Sequence, residues 1–264
     1  MRILLTNDDG IAAEGLQTLV RVARQLSDDV WICAPEIEQS GASRRLTLTE
    51  PVRVRQLDTQ SFAVSGTPTD CVMLAIQEMM VDKAPDLVLS GVNRGQNMGE
   101  DVTFSGTVAG ALQGMALGVP SIALSQALTR FQDARTSHFE TAEHHAPGLI
   151  ARLVEIGWPA KVVMNLNFPA CLPDEVEGVE VTVQGVRDEH PLHFEKRTDL
   201  RGRDYYWMAY RGRSSEPAVG TDVHAIKSRR ISVTPLHIDL THRETVHDLR
   251  GQLGGTVPVF HGTA

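Results

Sequence analysis

The chain opens Met1-Arg2-Ile3-Leu4-Leu5-Thr6-Asn7-Asp8-Asp9-Gly10. A short apolar run that is hydrophobic on consecutive positions predicts a strand buried on both faces, the habit of a parallel sheet covered by helices. Two adjacent carboxylates follow where that strand must end. Ligands of open α/β sheets bind outside the carboxyl ends of the strands, so Asp8 and Asp9 are predicted in a wet crevice above the core. Adjacent negative charges repel unless something positive lies between them, and a divalent cation answers that need. A single carboxylate here can equally cap the next helix; the pair, placed after a buried strand, points to chemistry.

The same rhythm continues outward. Leu16, Leu19, Val20, Ala23 and Leu26 recur at helical spacing over Gly15–Leu26, and Val30–Ala34 reads as a second buried strand ended by Pro35. Val52–Leu57 alternates like a strand, and a turn over Ser65–Asp70 places Pro68 in the first turn of a helix running to Met80. Leu87–Ser90 is another apolar strand that opens into a glycine-rich loop. A helix then starts around Ser105-Gly106-Thr107 and ends near Leu117, with a strand over Val119–Leu124. Residues 138–155 read as a helix, and Val162–Leu166 as a strand with Asn165 and Asn167 near its end. Strands alternating with helices predict a doubly wound α/β sheet. From Val179 the texture changes to alternating Val181 and Val183, then to a charged stretch, Arg187–Arg213, containing Tyr205-Tyr206-Trp207. That stretch is too polar for a central sheet and predicts a β-rich extension whose exposed edges and aromatics suit another subunit. Ile231–Leu236 reads as a late strand, with a short helical tail and a loose glycine-rich end. The expected division is a core over 1–178, an extension over 179–230, and a returning or exchanged segment over 231–264.

Composition narrows the function. A chain of 264 residues buries roughly 70–75% of its unfolded surface, so its core needs no disulfides. Cys33, Cys71 and Cys171 are widely spaced with no CxxC pair, which argues against a disulfide scaffold or zinc knuckle and suits the cytoplasm. Asp8 and Asp9 fall where a signal peptide needs its apolar segment, and no apolar run is long enough to span a membrane. The formal charge of −8 weakens any case for a nucleic-acid partner, while leaving room for one phosphorylated ligand in a locally positive cleft.

Ser40 and Asn93 are neutral oxygen donors in loops after two other predicted strands. Alone, each is a turn or cap residue. Converging with Asp8 and Asp9, they give Mg²⁺ or Mn²⁺ a mixed oxygen shell with open water positions. Between Ser90 and Asp101, Gly91, Gly95 and Gly99 allow tight turns and close approach. The segment matches neither the dinucleotide fingerprint nor a Walker A loop. Backbone donors near the helix start at Ser105-Gly106-Thr107 suit a phosphate, assisted by both hydroxyls and Asn97; simple helix capping by Ser105 or Thr107 is the plainer use. Thr67 and Asp70 have the same two readings, cap or pocket wall. His138, His144 and His145 do not form HExxH, His190 and His193 have no matching ligand set, and no GxSxG supports a nucleophile elbow.

Together these segments resemble the SurE family, the stationary-phase survival proteins that act as metal-dependent 5′/3′-nucleotidases. The resemblance lies in Leu4-Leu5-Thr6-Asn7-Asp8-Asp9-Gly10, in Ala34-Pro35 through Ser40-Gly41-Ala42-Ser43 to Thr47, in Ser65–Val72, in Ser90–Ala111, and in the late stretch from Thr221 to Leu236. It spans nearly the whole chain. It implies a Rossmann-like core and dimers, often tetramers, that exchange carboxyl-terminal elements. It also implies metal binding by Asp8, Asp9, Ser40 and Asn93, and phosphate-pocket roles for Asn97, Ser105, Gly106 and Thr107. Ala12, Glu14 and Phe104 depart from the residues frequent in the family, and Lys227–Arg230 lacks its usual glycine.

The expected reaction is hydrolysis of nucleoside 5′- and 3′-monophosphates by a 5′-nucleotidase with one divalent cation, Mg²⁺ or Mn²⁺, per subunit. Asp8 and Asp9 are the catalytic pair. The alternatives are a short-chain polyphosphate phosphatase using the same centre, or a non-catalytic, nucleotide-responsive oligomer. No stable nucleic-acid or membrane partner is expected.

Overall fold

The structure is a computed structural model that describes residues 1–128, 139–186, 192–210 and 216–253. His138, His190, the ends of the charged stretch at 187–191 and 211–213, and the glycine-rich end from 254 lie outside the described residues.

In chain order the strands are β1 (Arg2–Thr6), β2 (Asp29–Pro35), β3 (Val54–Gln56), β4 (Ser61–Val64), β5 (Leu87–Arg94), β6 (Ser121–Gln126), β7 (Val163–Phe168), β8 (Val179–Val181), β9 (Leu192–Thr198), β10 (Asp204–Tyr210) and β11 (Ile231–Leu236). Helices α1 (Glu14–Arg24), α2 (Pro68–Leu74), α3 (Gly106–Ala116), α4 (Glu140–Ile156), α5 (Asp222–Lys227) and α6 (Arg243–Leu253) complete the set. Nine strands form one sheet in the order β3-β4-β2-β1-β5-β6-β7-β11-β8, parallel except where β3 meets β4 and β11 meets β7. The short β8 closes one edge beside β11, while β9 and β10 form a separate antiparallel ribbon.

The opening strand is apolar on both faces because both faces are covered. Alternate residues of a strand point to opposite sides, so Ile3 and Leu5 pack with Leu16, Leu19 and Ala23 of α1 and with Ala142, Ala146 and Ile150 of α4. Leu4 packs instead with Cys33, Val64, Cys71 and Val72 on the α2 side. Pro68 starts α2, where its missing N–H costs nothing, and Thr67 and Asp70 close a reciprocal capping box.

Three elements differ from the sequence expectation. Ser61–Val64, a strand beside β2, follows a polar turn and is too short to show a period. The helix from Pro68 is α-helical only to Leu74 and continues as a π-helical turn over Ala75–Met79. Strand β5 runs past Ser90 to Arg94, with a register shift against β6 between Ser90 and Asn93. That irregularity carries the glycine-rich segment into the sheet's mouth. Among the described residues no helix is long and apolar enough to cross a membrane.

Candidate active site at the carboxyl ends of β1 and β5

From β1 the chain winds one way to β2 and β4 and the other way to β5, β6 and β7, so the strand order reverses between β1 and β5. In open α/β sheets such a reversal marks the crevice where ligands bind. Asn7, Asp8 and Asp9 leave β1 directly into it. The Asn7 amide donates to the Gly10 carbonyl at 2.9 Å, and Gly10 sits at φ +102°, a turn that a side chain would strain.

Three other segments close on these aspartates. The Gln39 N–H, in the loop after β2, donates to the Asp8 carbonyl at 2.7 Å. The Arg94 N–H, at the end of β5, donates to Asp9 Oδ2 at 3.1 Å. The Thr107 hydroxyl, in the first turn of α3, donates to Asp8 Oδ1. Helix α3 can come this near because Gly106, Gly110 and Gly114 recur every fourth residue on one face. A Cβ on Gly106 would stand 2.7 Å from the Asp8 side chain, and one on Gly110 would stand 2.8 Å from Ser90 Oγ. The stripe lays the helix flush on the sheet with its amino end beside Asp8.

Both carboxyl groups are held above their ordinary range. Asp8 is buried and burial raises it, opposed by the hydrogen bond from Thr107. Asp9 is pushed up to about 6, first by burial, then by the charge of Asp8, with Glu38 adding to the rise and the Arg94 N–H opposing it. The charge of Arg94 offsets that rise at Asp9 only in part, and a hard dication supplies the rest. Among the described residues no three His, Cys, Asp or Glu side chains converge as a ready ligand set. A cation at Asp8 and Asp9 therefore needs neutral oxygens, and the donor set present is oxygen throughout. Asn93 turns its amide NH₂ to the Gly95 carbonyl at 2.8 Å, which leaves its side-chain oxygen for a ligand. Ser40 lies one residue beyond Gln39, exposed, and donates to Glu38 Oε1 at 2.7 Å, keeping its lone pairs free. The buried Asn7 Oδ1 at the same turn has no hydrogen-bond partner. These residues fit a hard divalent cation.

The phosphate candidates occupy different situations. Gly106 and Thr107 touch Asp8. Ser105 caps α3, its Oγ accepting from the Val108 N–H at 3.0 Å. Asn97 is buried in the loop after β5 and donates to Ser125 Oγ at 2.8 Å, at the end of β6 where Ser125 pairs with Asn93. Its main chain is clamped from β7: the N–H donates to Asn167 Oδ1 at 2.8 Å, and the carbonyl accepts from Asn165 and Asn167 at 2.8 and 3.0 Å. Sequence reasoning placed Asn165 and Asn167 near a strand end but gave them no role; an alternating pair of asparagines in an apolar strand was the available signal. Asp70 does more than cap, accepting from the Thr47 hydroxyl at 2.6 Å and so tying down the loop that carries Ser40.

The family model described as "Survival protein SurE" matches residues 3–191. The chain belongs to the SurE family. It is 67% identical over 258 residues to a protein named 5′-nucleotidase SurE from Caulobacter vibrioides (strain NA1000 / CB15N), covering 98% of each chain. A protein of the same name from Phenylobacterium zucineum (strain HLK1) is 63% identical over 258 residues, covering 98% of this chain and 99% of its own. The crystal structure of the SurE protein from Aquifex aeolicus superimposes with a TM-score of 0.79 at 36% identity, covering 96% of this chain and 100% of that one. Likeness to these SurE proteins runs through the crevice and the late strand alike, and the sheet flanked by helices is the SurE fold.

Proposed function

We propose that this chain is a metal-dependent phosphomonoester hydrolase that converts nucleoside 5′- and 3′-monophosphates to nucleoside and phosphate. The observation that carries the reading is the Asp8–Asp9 pair at the switch point of the sheet, contacted by the amino end of α3 and by the Arg94 N–H. The curated relatives of near-full coverage named 5′-nucleotidase support the substrate class.

Asp8, Asp9, Ser40 and Asn93 are the residues that would hold Mg²⁺ or Mn²⁺, one per subunit. When bound, such an ion neutralises charge on the phosphoryl oxygens and favours a nucleophilic water at neutral pH. The chain's own groups do the rest. The amino end of α3, where the helix dipole is positive, faces the phosphoryl oxygens. Ser105 and Asn97 add polar contacts, and Gly106 keeps that approach clear. Water attacks phosphorus, the bond to the nucleoside oxygen breaks, and the water's proton passes by way of Asp8 or Asp9 to that oxygen. Thr107, bonded to Asp8, fixes which way that carboxyl group faces.

In this reading the 179–230 segment, between the 1–178 core and the 231–264 return, carries the assembly arm in its β9–β10 ribbon, and the active species is a cytoplasmic homo-oligomer, dimer or tetramer. Support comes from the β9–β10 ribbon, whose Phe194, Tyr206 and Met208 share one face and are 65%, 59% and 59% exposed. A lone two-stranded ribbon is marginal in water, so that face gains by being covered. The deciding experiment is Asp9→Asn. It is expected to abolish metal-dependent phosphate release from AMP with an unchanged circular-dichroism spectrum; turnover at the unsubstituted rate overturns the assignment.

A further inference from the structure

The loop that carries Asn97 is gripped from the distant end of the chain. The Gly99 N–H donates to Asp222 Oδ2 at 2.9 Å, and the Gly99 carbonyl accepts from Gln184 Nε2 at 3.0 Å. Gly99 is the left-handed turn of that loop, at φ +57°. Both of its peptide groups are thus held by side chains that lie more than eighty residues away in sequence. Asp222 is fully buried, and its other oxygen, Oδ1, accepts from the Gly185 and Val223 N–H groups, each at 2.8 Å. A Cβ on Gly185 would stand 2.9 Å from that oxygen, so the 184–185 main chain is drawn against Asp222 as closely as glycine allows. A buried side chain committed to main-chain donors from three separate segments fixes where those segments lie relative to one another.

We propose that Asp222 is a positioning residue for the reaction, with Gln184 as its partner: by holding Gly99 they fix the 95–99 loop and so aim Asn97 at the phosphoryl oxygens. The inference rests on the phosphate role of Asn97 proposed above.

The two oxygens of Asp222 make a selective test possible. In Asp222→Asn the remaining oxygen stays on the side of the two donors, Gly185 and Val223, and the new NH₂ meets the Gly99 N–H, so the grip on the loop is lost while those two bonds remain. With the full-length chain, kcat and KM for AMP, competitive inhibition by inorganic phosphate, Mn²⁺ affinity by calorimetry and melting temperature are measured. Asp222→Asn is expected to weaken phosphate inhibition and lower kcat/KM by about tenfold, to leave Mn²⁺ affinity unchanged, and to have no further effect in an Asn97→Ala background. Gln184→Ala, at an exposed site, shifts phosphate inhibition the same way by about threefold and carries the test alone if Asp222→Asn does not fold. Unchanged phosphate inhibition, or losses that add in full to those of Asn97→Ala, overturn the proposal. If Asn97→Ala itself leaves phosphate inhibition untouched, the phosphate role of Asn97 falls, and the proposal with it.

Discussion

The crevice above β1 and β5 and the β9–β10 ribbon are opposites in what they hide. In the crevice, groups that prefer water are buried: Asp8, Asn97 and Thr107 are each at most 7% exposed. On the ribbon, groups that prefer a core stand in solvent: Phe194, Tyr206, Trp207 and Met208 are each more than half exposed. Burying a polar group without compensation costs stability, and a large exposed apolar face marks a surface meant to be covered. The two regions are unusual in opposite senses. The crevice holds two carboxyl groups that Arg94 offsets only in part, and the ribbon holds apolar side chains in solvent.

The strongest way to break this comparison is to withhold the charge. Chelation is expected to abolish phosphate release from AMP and to lower the melting temperature, with Mg²⁺ or Mn²⁺ restoring both; activity that survives exhaustive chelation removes the need for a counter-ion. Next in size is Gly106→Ala, whose methyl group is forced against Asp8. A displacement of this kind costs on the order of 100-fold in kcat/KM, measured beside a melting temperature that moves only a few degrees. A drop below twofold would show that α3 does not approach Asp8 this closely in solution.

The ribbon is tested by polarity. Phe194→Ser with Met208→Ser is expected to shift the species seen by analytical ultracentrifugation toward a smaller assembly, without a cost to folding of the core. An unchanged sedimentation coefficient leaves the ribbon face without a partner. The smallest effect sharpens the contrast with ordinary surface charge. Arg21 pairs with Glu143 at 2.7 Å between α1 and α4, and the guanidinium holds the Glu143 carboxyl below its ordinary value. A depressed carboxyl pKa stabilises the fold above the ordinary glutamate value, and that stability is lost as pH falls through the folded value. Both partners are partly exposed, so Arg21→Ala is expected to cost only about 0.5 kcal/mol at pH 7, with the difference shrinking in urea titrations as pH falls below the ordinary glutamate range.

Much of the core was legible because its signals are local. Ile3-Leu4-Leu5 is apolar on both faces whatever surrounds it, and the α1 stripe from Leu16 to Ala23 repeats at helical spacing. β4 was not legible, because Ser61-Phe62-Ala63-Val64 owes its strand state to pairing with β2 rather than to its own pattern. The candidate site divides the same way. Asp8 and Asp9 announce themselves by following a buried strand and by adjacency. Thr107 reads as a helix-start residue, yet its hydroxyl goes to Asp8, a contact made across ninety-nine positions. Asp222 carried no role in the sequence beyond the family likeness of its stretch, because its hold on Gly99 is made across 123 positions.

What the sequence determined by itself is the inventory and its periodicity: strands buried on two faces, helices with one apolar side, paired carboxylates at a strand's mouth, and a family likeness across most of the chain. Periodicity reports the local environment of each element, since burial acts on residues two or four apart. The tertiary structure alone decided which loops meet. The reversal between β1 and β5, the glycine-lined descent of α3 onto Asp8, and the hold of Asp222 on Gly99 all join residues far apart in the chain. Such contacts leave no mark on local spacing, because the energy that selects them is realised only once the sheet has assembled.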